Sequence, residues 1–447
     1  MGKTILVAGA GHGGIAAAAE LAKKGFDVTV IEKKQRSELG YDWTDIFDPN
    51  SLNVAGIPHP AQDKFEYKQN MTFFSPSRSV GLTQDVPKND LEIKMERRDI
   101  YDHLINHAEK CGVKFIYGRE ALKPLILGNR VVGLYTSDGD MYADLVIDAA
   151  GAHSAVRSNM PEESLVENEV GSFEQFYVYR AFYNREGDFT PEHPFQVFLL
   201  YGGETQIVWL ASEGEYTDVL IGRFEPFGQD EIDEVLSSIR ETNPNLGTKV
   251  LRGGSHVIIP VRQPLSVMVY NGYAAIGDSA FMTVPLIGSG IANSLRAARM
   301  LVNTILSDDS GCYNAKTLWP YQQSYFKALG SGYAAMAVLK LFLLTLEPSE
   351  LNFIFDKGIL TAKEFTIGAG TVSLRSMLSM SLGDMIERAK VLCTDKILLT
   401  KIIKLGSRIA AAAAITAMLP KTYNEALLKK WASTYTSFYK KLEDSER

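Results

Sequence analysis

Residues 3–32 constrain the fold of this 447-residue chain more tightly than any other stretch. Residues 3–8 (Lys-Thr-Ile-Leu-Val-Ala) form a short apolar run suited to a buried parallel strand. Gly9, Gly11 and Gly14 follow at once in the spacing G-x-G-x-x-G, with Gly13 beside the third. Residues 15–24 are alanine-rich and predict a helix, and residues 27–32 predict a second strand closing on Glu32 and Lys33. In such a unit the first glycine permits a tight turn, the second lets backbone approach a pyrophosphate, and the third lets helix pack on strand. The pyrophosphate then meets free N–H groups at the positive end of the helix. Glu32 is placed to accept from ribose hydroxyls. The glycine spacing alone is a weak signal. Between a strand and a helix, with an acid ending the next strand, it points to a dinucleotide site.

Composition narrows the rest. The length predicts two or three domains. A net charge of −7 gives no basic field for nucleic acid, so no such partner is expected. Cys111, Cys312 and Cys393 are too scattered for a disulfide framework or a cysteine metal site. No metal is therefore expected, and a reducing, cytoplasmic setting fits. Residues 1–3 lead straight into the first strand, so no leader is expected. The apolar runs 333–346 and 409–419 fall short of a membrane span.

Residues 35–96 read as loops and short strands. A helix is predicted over 97–111 and a strand over 113–117. Residues 131–134 and 141–146 read as a hairpin turned at Asp138-Gly139, and 145–148 as a buried strand leading to Gly151. From Phe173 to Phe224 the pattern changes. Strand-like runs at 176–183, 195–201, 206–211 and 218–224 predict an inserted antiparallel sheet. A helix over 231–241 and a buried strand over 273–278 follow. Beyond Ile291 the chain reads as helix, broken at Pro320, Pro348 and Pro420. The expected architecture is α/β. A nucleotide-binding domain is drawn from residues 1–40, 97–170 and 252–310, and a sheet domain from 41–96 and 171–251. Residues 311–447 form a helical C-terminal region.

Three further segments carry a resemblance. Arg97-Arg98-Asp99-Ile100 matches an R-x-D-L helix start. Residues 146–157 include Asp148, Gly151, Ser154, Val156 and Arg157. Gly277-Asp278-Ser279-Ala280 is followed by Pro285-Leu286-Ile287-Gly288-Ser289-Gly290-Ile291. Together with the opening unit they resemble the FAD-dependent flavoproteins of the p-hydroxybenzoate hydroxylase fold. Within that group the chain is most similar to the geranylgeranyl reductase family. The segment from Arg252-Gly253-Gly254 to Pro264-Leu265, and the form Pro-Leu-x-Gly-x-Gly-Ile, carry that likeness over roughly residues 1–359.

The resemblance implies a Rossmann-like FAD-binding domain with the inserted sheet domain and the helical region above. It places Arg97 along the FAD pyrophosphate and Asp278 on the ribitol. It sets Pro285, Gly288, Gly290 and Ile291 against the flavin ring, where N–H groups and a helix dipole stabilise its reduced charge. Gly9, Gly11, Gly13, Gly14, Glu32, Lys33 and Gly151 complete the expected FAD contacts. The chain also departs from the family. Ala150 stands where the family has aspartate. Gly40-Tyr41-Asp42-Trp43 replaces a cysteine region, and Trp209 lacks the Phe-Pro pair that usually follows.

The implied reaction is hydride transfer from reduced flavin to a carbon–carbon double bond of an apolar, isoprenoid-like lipid. An external donor, NAD(P)H or reduced ferredoxin, recharges the flavin. Such chemistry needs a dry slot and a proton donor. Tyr41, Asp42 and Tyr201 are the donor candidates, with Trp209 on the slot wall and aromatic residues of the sheet covering the flavin. Hydroxylation with oxygen, electron relay at a membrane, and lipid binding with a structural FAD are the alternatives. The stretch 396–441 holds nine basic residues among Leu, Ile, Trp431 and Tyr439. It suits either peripheral contact with an anionic bilayer or a solvated helix face.

Overall fold

The computed structural model describes residues 2–171, 174–187, 189, 191–367 and 382–446. Its first layer is a six-stranded sheet in the order Val269–Tyr270, Tyr273–Ala275, Leu145–Asp148, Thr4–Ala8, Asp27–Glu32, Lys114–Tyr117. All pairings are parallel except at the Val269–Tyr270 edge. Strands far apart in sequence thus lie side by side. The turns that carry the motifs leave the same carboxyl edge: Gly9–Gly14, Glu32-Lys33, Asp148–Gly151 and Ile276–Asp278. Ligands of open parallel sheets bind at such an edge. Helix His12–Lys23 packs on Ile291–Leu306, and every alanine from Ala16 to Ala19 is buried in the seam.

The second layer is a seven-stranded sheet in the order Leu246–Pro260, Gln175–Arg185, Tyr216–Arg223, Gln206–Glu213, Phe195–Leu199, Thr72–Phe74, Gly81–Thr83. The four strands expected between Phe173 and Phe224 all form, though Phe173 itself lies outside the described residues. Two short strands from the 41–96 region extend the sheet. Thr72–Phe74 joins it in parallel to Phe195–Leu199. Leu246–Pro260 crosses residue 252 unbroken, paired with Gln175–Arg185, and the chain leaves this sheet only at Val261. Strand alternation sorts the aromatics. Tyr179, Tyr183 and Phe198 face helix Gln229–Thr242, packing with Ile232, Val235, Leu236 and Ile239. Phe176, Val178 and Arg180, with Ile207, Trp209 and Leu220, face the other way.

Some expected elements differ. Residues 141–146 are not one strand: Gly139–Tyr142 completes the hairpin, and Leu145–Asp148 belongs to the parallel sheet. Asp144 separates them, accepting from Thr4 N–H at 2.8 Å and Thr4 Oγ1 at 3.0 Å. Residues 276–278 turn into a short 3₁₀ segment instead of continuing the strand. Pro320 does not break the helix. Ala315–Tyr325, the π turn Phe326–Gly330 and Ser331–Leu343 follow without interruption. An exposed proline forfeits one helix bond, and buried Leu318, Trp319 and Tyr321 on either side outweigh that loss. Pro348 and Pro420 do stand at helix boundaries. Because the pieces join, the 29-residue helix Ala315–Leu343 is long and apolar enough to cross a membrane by length and composition. In the fold, 61% of its apolar window is buried against other elements.

The tail is packed. Helix Lys396–Ala417 lies on Ser331–Leu343, and Glu425–Glu446 closes over both. Trp431 and Tyr439, read above as residues for a bilayer, are instead core. Trp431 Nε1 donates to Ile415 O at 2.7 Å and Tyr439 OH to Ala334 O at 2.6 Å. Each amphipathic ring finds an interior acceptor, so neither is available to lipid.

Candidate functional site

One cavity of about 1040 Å³ runs from the carboxyl edge of the parallel sheet, under the seven-stranded sheet, to the C-terminal helices. Its near end is the glycine turn. Gly9 has φ +81°, and a side chain there would meet the Ala150 backbone at 2.6 Å. At Gly11 a Cβ would stand 2.5 Å from Ala149 O, and at Gly14 2.4 Å from Ala149 Cβ. The second and third glycines therefore let two crossing segments touch, which brings both to the ligand. Gly13 meets Ser294 of the neighbouring helix. Glu32 reaches back, accepting from Ala10 N–H at 2.8 Å and Lys34 N–H at 3.0 Å. Its carboxylate is thereby fixed on the cavity wall beside Lys33.

Arg97 opens its helix and faces the same space. It is ion-paired to Asp45 at 2.8 Å and sits over the Tyr41 ring at 4.3 Å. Burial alone would lower its affinity for the proton, but Asp45, with Tyr41 and Tyr101, more than offsets that and holds the guanidinium charged. Its Nε has no protein partner, nor do His12 Nε2, Trp43 Nε1 and Trp209 Nε1. All four residues line the cavity. Buried polar groups are rarely left unpaired, so these four are candidate contacts for a ligand in the cavity. His12, which the motif reading passed over as a variable position, packs at a tilt against the Tyr101 ring, with centroids 4.7 Å apart. Burial, then Arg97, pushes its pKa well below the usual histidine value, so it is neutral at physiological pH.

Asp148 is the keystone that sequence reasoning missed. It is fully buried and accepts from Ser154 Oγ, Tyr273 OH, Ser279 Oγ and Ala150 N–H at 2.6, 3.0, 2.9 and 3.1 Å. Ser279 Oγ also accepts from Gly151 N–H at 2.9 Å, and Arg157 Nη1 donates to Ser279 O at 3.0 Å. These bonds weld the Gly151 turn, at φ +90°, to the Gly277-Asp278 turn. Asp278 accepts from Thr283 at 2.7 Å. Pro285, Gly288, Gly290 and Ile291 then form the wall, where helix Ile291–Leu306 presents its N-terminus. The features a flavin dinucleotide needs are therefore all present: a cradle without side chains, fixed acceptors at the ribose position, unpaired buried donors and a helix N-terminus at the ring end.

The far end is mostly apolar. Phe73, Leu199 and Leu200 meet Leu339, Phe342 and Leu343 of the long helix. Leu346, Leu351, Ile354, Phe365, Ile402, Leu405 and Ile409 continue the chamber, and the Glu364–Arg388 ion pair also reaches its wall. Leu360, Phe365, Ile402, Leu405 and Ile409, from the stretch that no motif placed, thus build its far wall. Lys340 also reaches the wall, donating to Val261 O at 3.0 Å, and burial lowers its pKa to about 8.

Of the four residues expected at the chemistry, Tyr41 and Trp209 line the cavity. Burial pushes the Tyr41 phenol above its usual value, against the pull of Arg97. Asp42 does not line it. It is turned outward, accepting from Gly253 N–H at 3.0 Å and pairing with Arg252. Tyr201 does not line it either, lying beyond the end of strand Phe195–Leu199. Its OH meets Ser238 Oγ at 2.9 Å on the helix side of the sheet. Of the residues expected at FAD, all but Gly14 line the cavity.

A family profile described as an NAD(P)-binding Rossmann-like domain matches residues 7–67. The digeranylgeranylglycerophospholipid reductase of Sulfolobus acidocaldarius is 22% identical over 374 residues, covering 80% of this chain and 81% of that protein. The Haloferax volcanii reductase of the same name is 26% identical, over 67% of this chain and 75% of its own length. A putative FAD-dependent monooxygenase of Bacillus subtilis is 27% identical over 68% of this chain and 84% of its own. Among solved structures, a geranylgeranyl bacteriochlorophyll reductase-like protein from Thermoplasma acidophilum superposes with a TM-score of 0.72. It is 20% identical and covers 89% of this chain and all of its own. The fold is that of these flavoproteins. A probable FAD-dependent monooxygenase from Pseudomonas aeruginosa shares it less closely, with a TM-score of 0.59 at 16% identity, over 80% of this chain and all of its own.

Proposed function

We propose that the chain is an FAD-dependent oxidoreductase that reduces carbon–carbon double bonds in the isoprenoid chains of a lipid. The observation that carries this is the joining of a nucleotide cradle and an apolar chamber in one cavity of about 1040 Å³. Bound FAD, once reduced, supplies hydride to the alkene. The protein's own part is to grip the nucleotide through Gly9–Gly14, Glu32 and Arg97, and to orient the ring end through Asp278 and the turn at 285–291. Trp209 and the chamber residues exclude water and align a prenyl chain, so that the alkene alone meets the reactive end. The names of the reductase relatives favour this substrate class. The monooxygenase-named relatives favour hydroxylation as a second reading on the same fold.

We take NAD(P)H or reduced ferredoxin as the source of electrons. The expected site residues that line the cavity, without Asp42 and Tyr201, and a three-part division with the sheet domain extended to Pro260 belong to the same proposal. Peripheral contact with a membrane is supported by the outer face of helix Lys396–Ala417, where Ile397 and Ile403 are 71% and 64% exposed beside Lys396 and Lys404. Its inner face carries Ile402, Leu405 and Ile409 into the chamber, so a lipid would pass only one helix on its way in.

The test is anaerobic. FAD-loaded protein reduced by dithionite is mixed with a digeranylgeranyl glycerophospholipid, and the products are weighed by mass spectrometry. Stepwise gain of hydrogen pairs without oxygen supports the reading. A product that forms only with oxygen, and gains an oxygen atom, replaces it with hydroxylation.

A further inference from the structure

Lys68 and Glu92 form an ion pair of 3.2 Å on the cavity wall, outside the nucleotide cradle. Their backbones share one rung, Lys68 N–H donating to Glu92 O at 2.9 Å, so both side chains leave the same edge. They are 16% and 11% exposed. Toward one side lies Asp48, ion-paired to Arg296 of the helix whose first turn closes the ring end of the cavity. Toward the other, Met71 and Phe73 lead to Phe365, stacked on Phe73 at 4.2 Å in the apolar chamber. The pair therefore stands where the two halves of the cavity meet. A half-buried ion pair contributes little to stability, because desolvation offsets the attraction. Asp48–Arg296 already ties this segment to the helix. A second pair facing an apolar slot asks for another reason.

We propose that Glu92 is the proton donor of the reduction and that Lys68 holds its carboxylate once the proton has left. This rests on the reductase reading. One alkene carbon receives hydride from the reduced flavin, and the other receives the Glu92 proton. The carboxyl O–H bond breaks, a C–H bond forms, the double bond becomes single, and solvent restores the proton. Burial pushes the Glu92 carboxyl up against the pull of Lys68. The other charged groups reaching it, Asp48 and Arg296, act in opposite directions. A carboxyl raised toward neutrality is better matched to proton donation than a buried phenol such as Tyr41.

The first test needs no alkene. FAD-loaded protein is photoreduced while the infrared band of protonated carboxyls is followed. A carboxyl near the ring takes up a proton when negative charge appears there. The wild type then gains a band that Glu92→Gln lacks, and a band unchanged in the variant overturns the proposal. Turnover with the geranylgeranyl lipid follows. Glu92→Gln keeps its flavin spectrum but slows by about 100-fold. Glu92→Asp, retaining a carboxyl, recovers part of the rate. The wild-type rate falls as pH rises through the Glu92 titration, and Lys68→Met moves that fall to higher pH. If Glu92→Gln works within about threefold of wild type, the proposal falls and the reductase reading stands. If the wild type binds FAD yet reduces no alkene, the reductase reading falls and takes the proposal with it.

Discussion

Replacing Gly11 with alanine tests the cradle at its tightest point. Gly11 has φ −65°, a conformation open to alanine, so the substitution adds a methyl group without backbone strain. That methyl would lie 2.5 Å from Ala149 O and 3.4 Å from Ala149 Cβ. The carbonyl cannot easily retreat. Its strand is held by Ala149 N–H to Ala8 O at 2.8 Å and by Ile276 N–H to Asp148 O at 2.9 Å. Relief therefore moves the glycine turn outward, into the space of the pyrophosphate. Overpacking of this kind costs about 1–3 kcal/mol. The free protein relaxes part of it, while the bound nucleotide pins the turn. If the whole strain falls on the complex, the FAD dissociation constant rises roughly 5- to 150-fold. Flavin fluorescence titration of the stripped protein measures this. Gly332→Ala is the control. Nothing lies within 4 Å of its added Cβ, in the middle of a helix, and it should stabilise by up to about 1 kcal/mol. A Gly11→Ala protein that binds FAD within about twofold of wild type refutes the close-approach argument.

Three other outcomes are expected. Asp148→Ala removes the acceptor of three buried hydroxyls and loses at least about 3 kcal/mol in urea unfolding, together with bound flavin; a loss below about 1 kcal/mol contradicts the keystone role. Leu346→Trp fills part of the chamber and lowers the kcat/KM ratio of geranylgeranyl to geranyl lipids by at least about tenfold; an unchanged ratio places the prenyl chain elsewhere. Glu364 pins helix Ala362–Ile367 to Leu382–Leu392 through Arg388 at 2.9 Å. Burial raises its pKa, but bonds from Thr361 and the Arg388 charge bring it below the usual value. Its contribution is therefore complete above the unfolded value of about 4.3 and is lost as pH falls through the lower folded value. Proteolysis of the tail should accelerate in that acid window in the wild type, and Glu364→Gln should show the faster cleavage already at neutral pH.

The nucleotide half was legible because each of its signals is local. A strand, a glycine spacing and an acid two strands' length away suffice for Gly9–Glu32, and the Gly277-Asp278 segment repeats the logic. The inserted sheet was legible from alternation, which also implied that only half its aromatics face the slot. Tyr201 escaped that rule because it lies past the strand end, where parity no longer applies. Asp42 sits between Tyr41 and Trp43 in sequence, but it is the tip of a tight turn, Trp43 N–H donating to Tyr41 O at 2.7 Å, and so points away from the cavity that its neighbours line. Asp148 looked like an ordinary strand terminus, since its partners Ser154, Tyr273 and Ser279 are assembled only by strand order. Lys68 and Glu92 stand just outside two short strands, Glu66–Tyr67 and Ile93–Glu96, where no period shows. The chamber was invisible for a related reason: helices after residue 360 show apolar faces, but nothing in a face says whether it meets core or an open space.

The grip on the nucleotide is built from segments before residue 160 and around 273–294, whereas the last wall of the chamber comes from helices beyond residue 360. The two are covalently distant, and the tail meets the nucleotide-binding core through Trp431 and Tyr435 as well as through the cavity. Changes confined to chamber-facing positions such as Ile402, Leu405 and Ile409 could therefore redraw the length and shape of accepted hydrocarbon without disturbing the redox centre. That separation gives such a scaffold a route to new lipids by altering only its final helices.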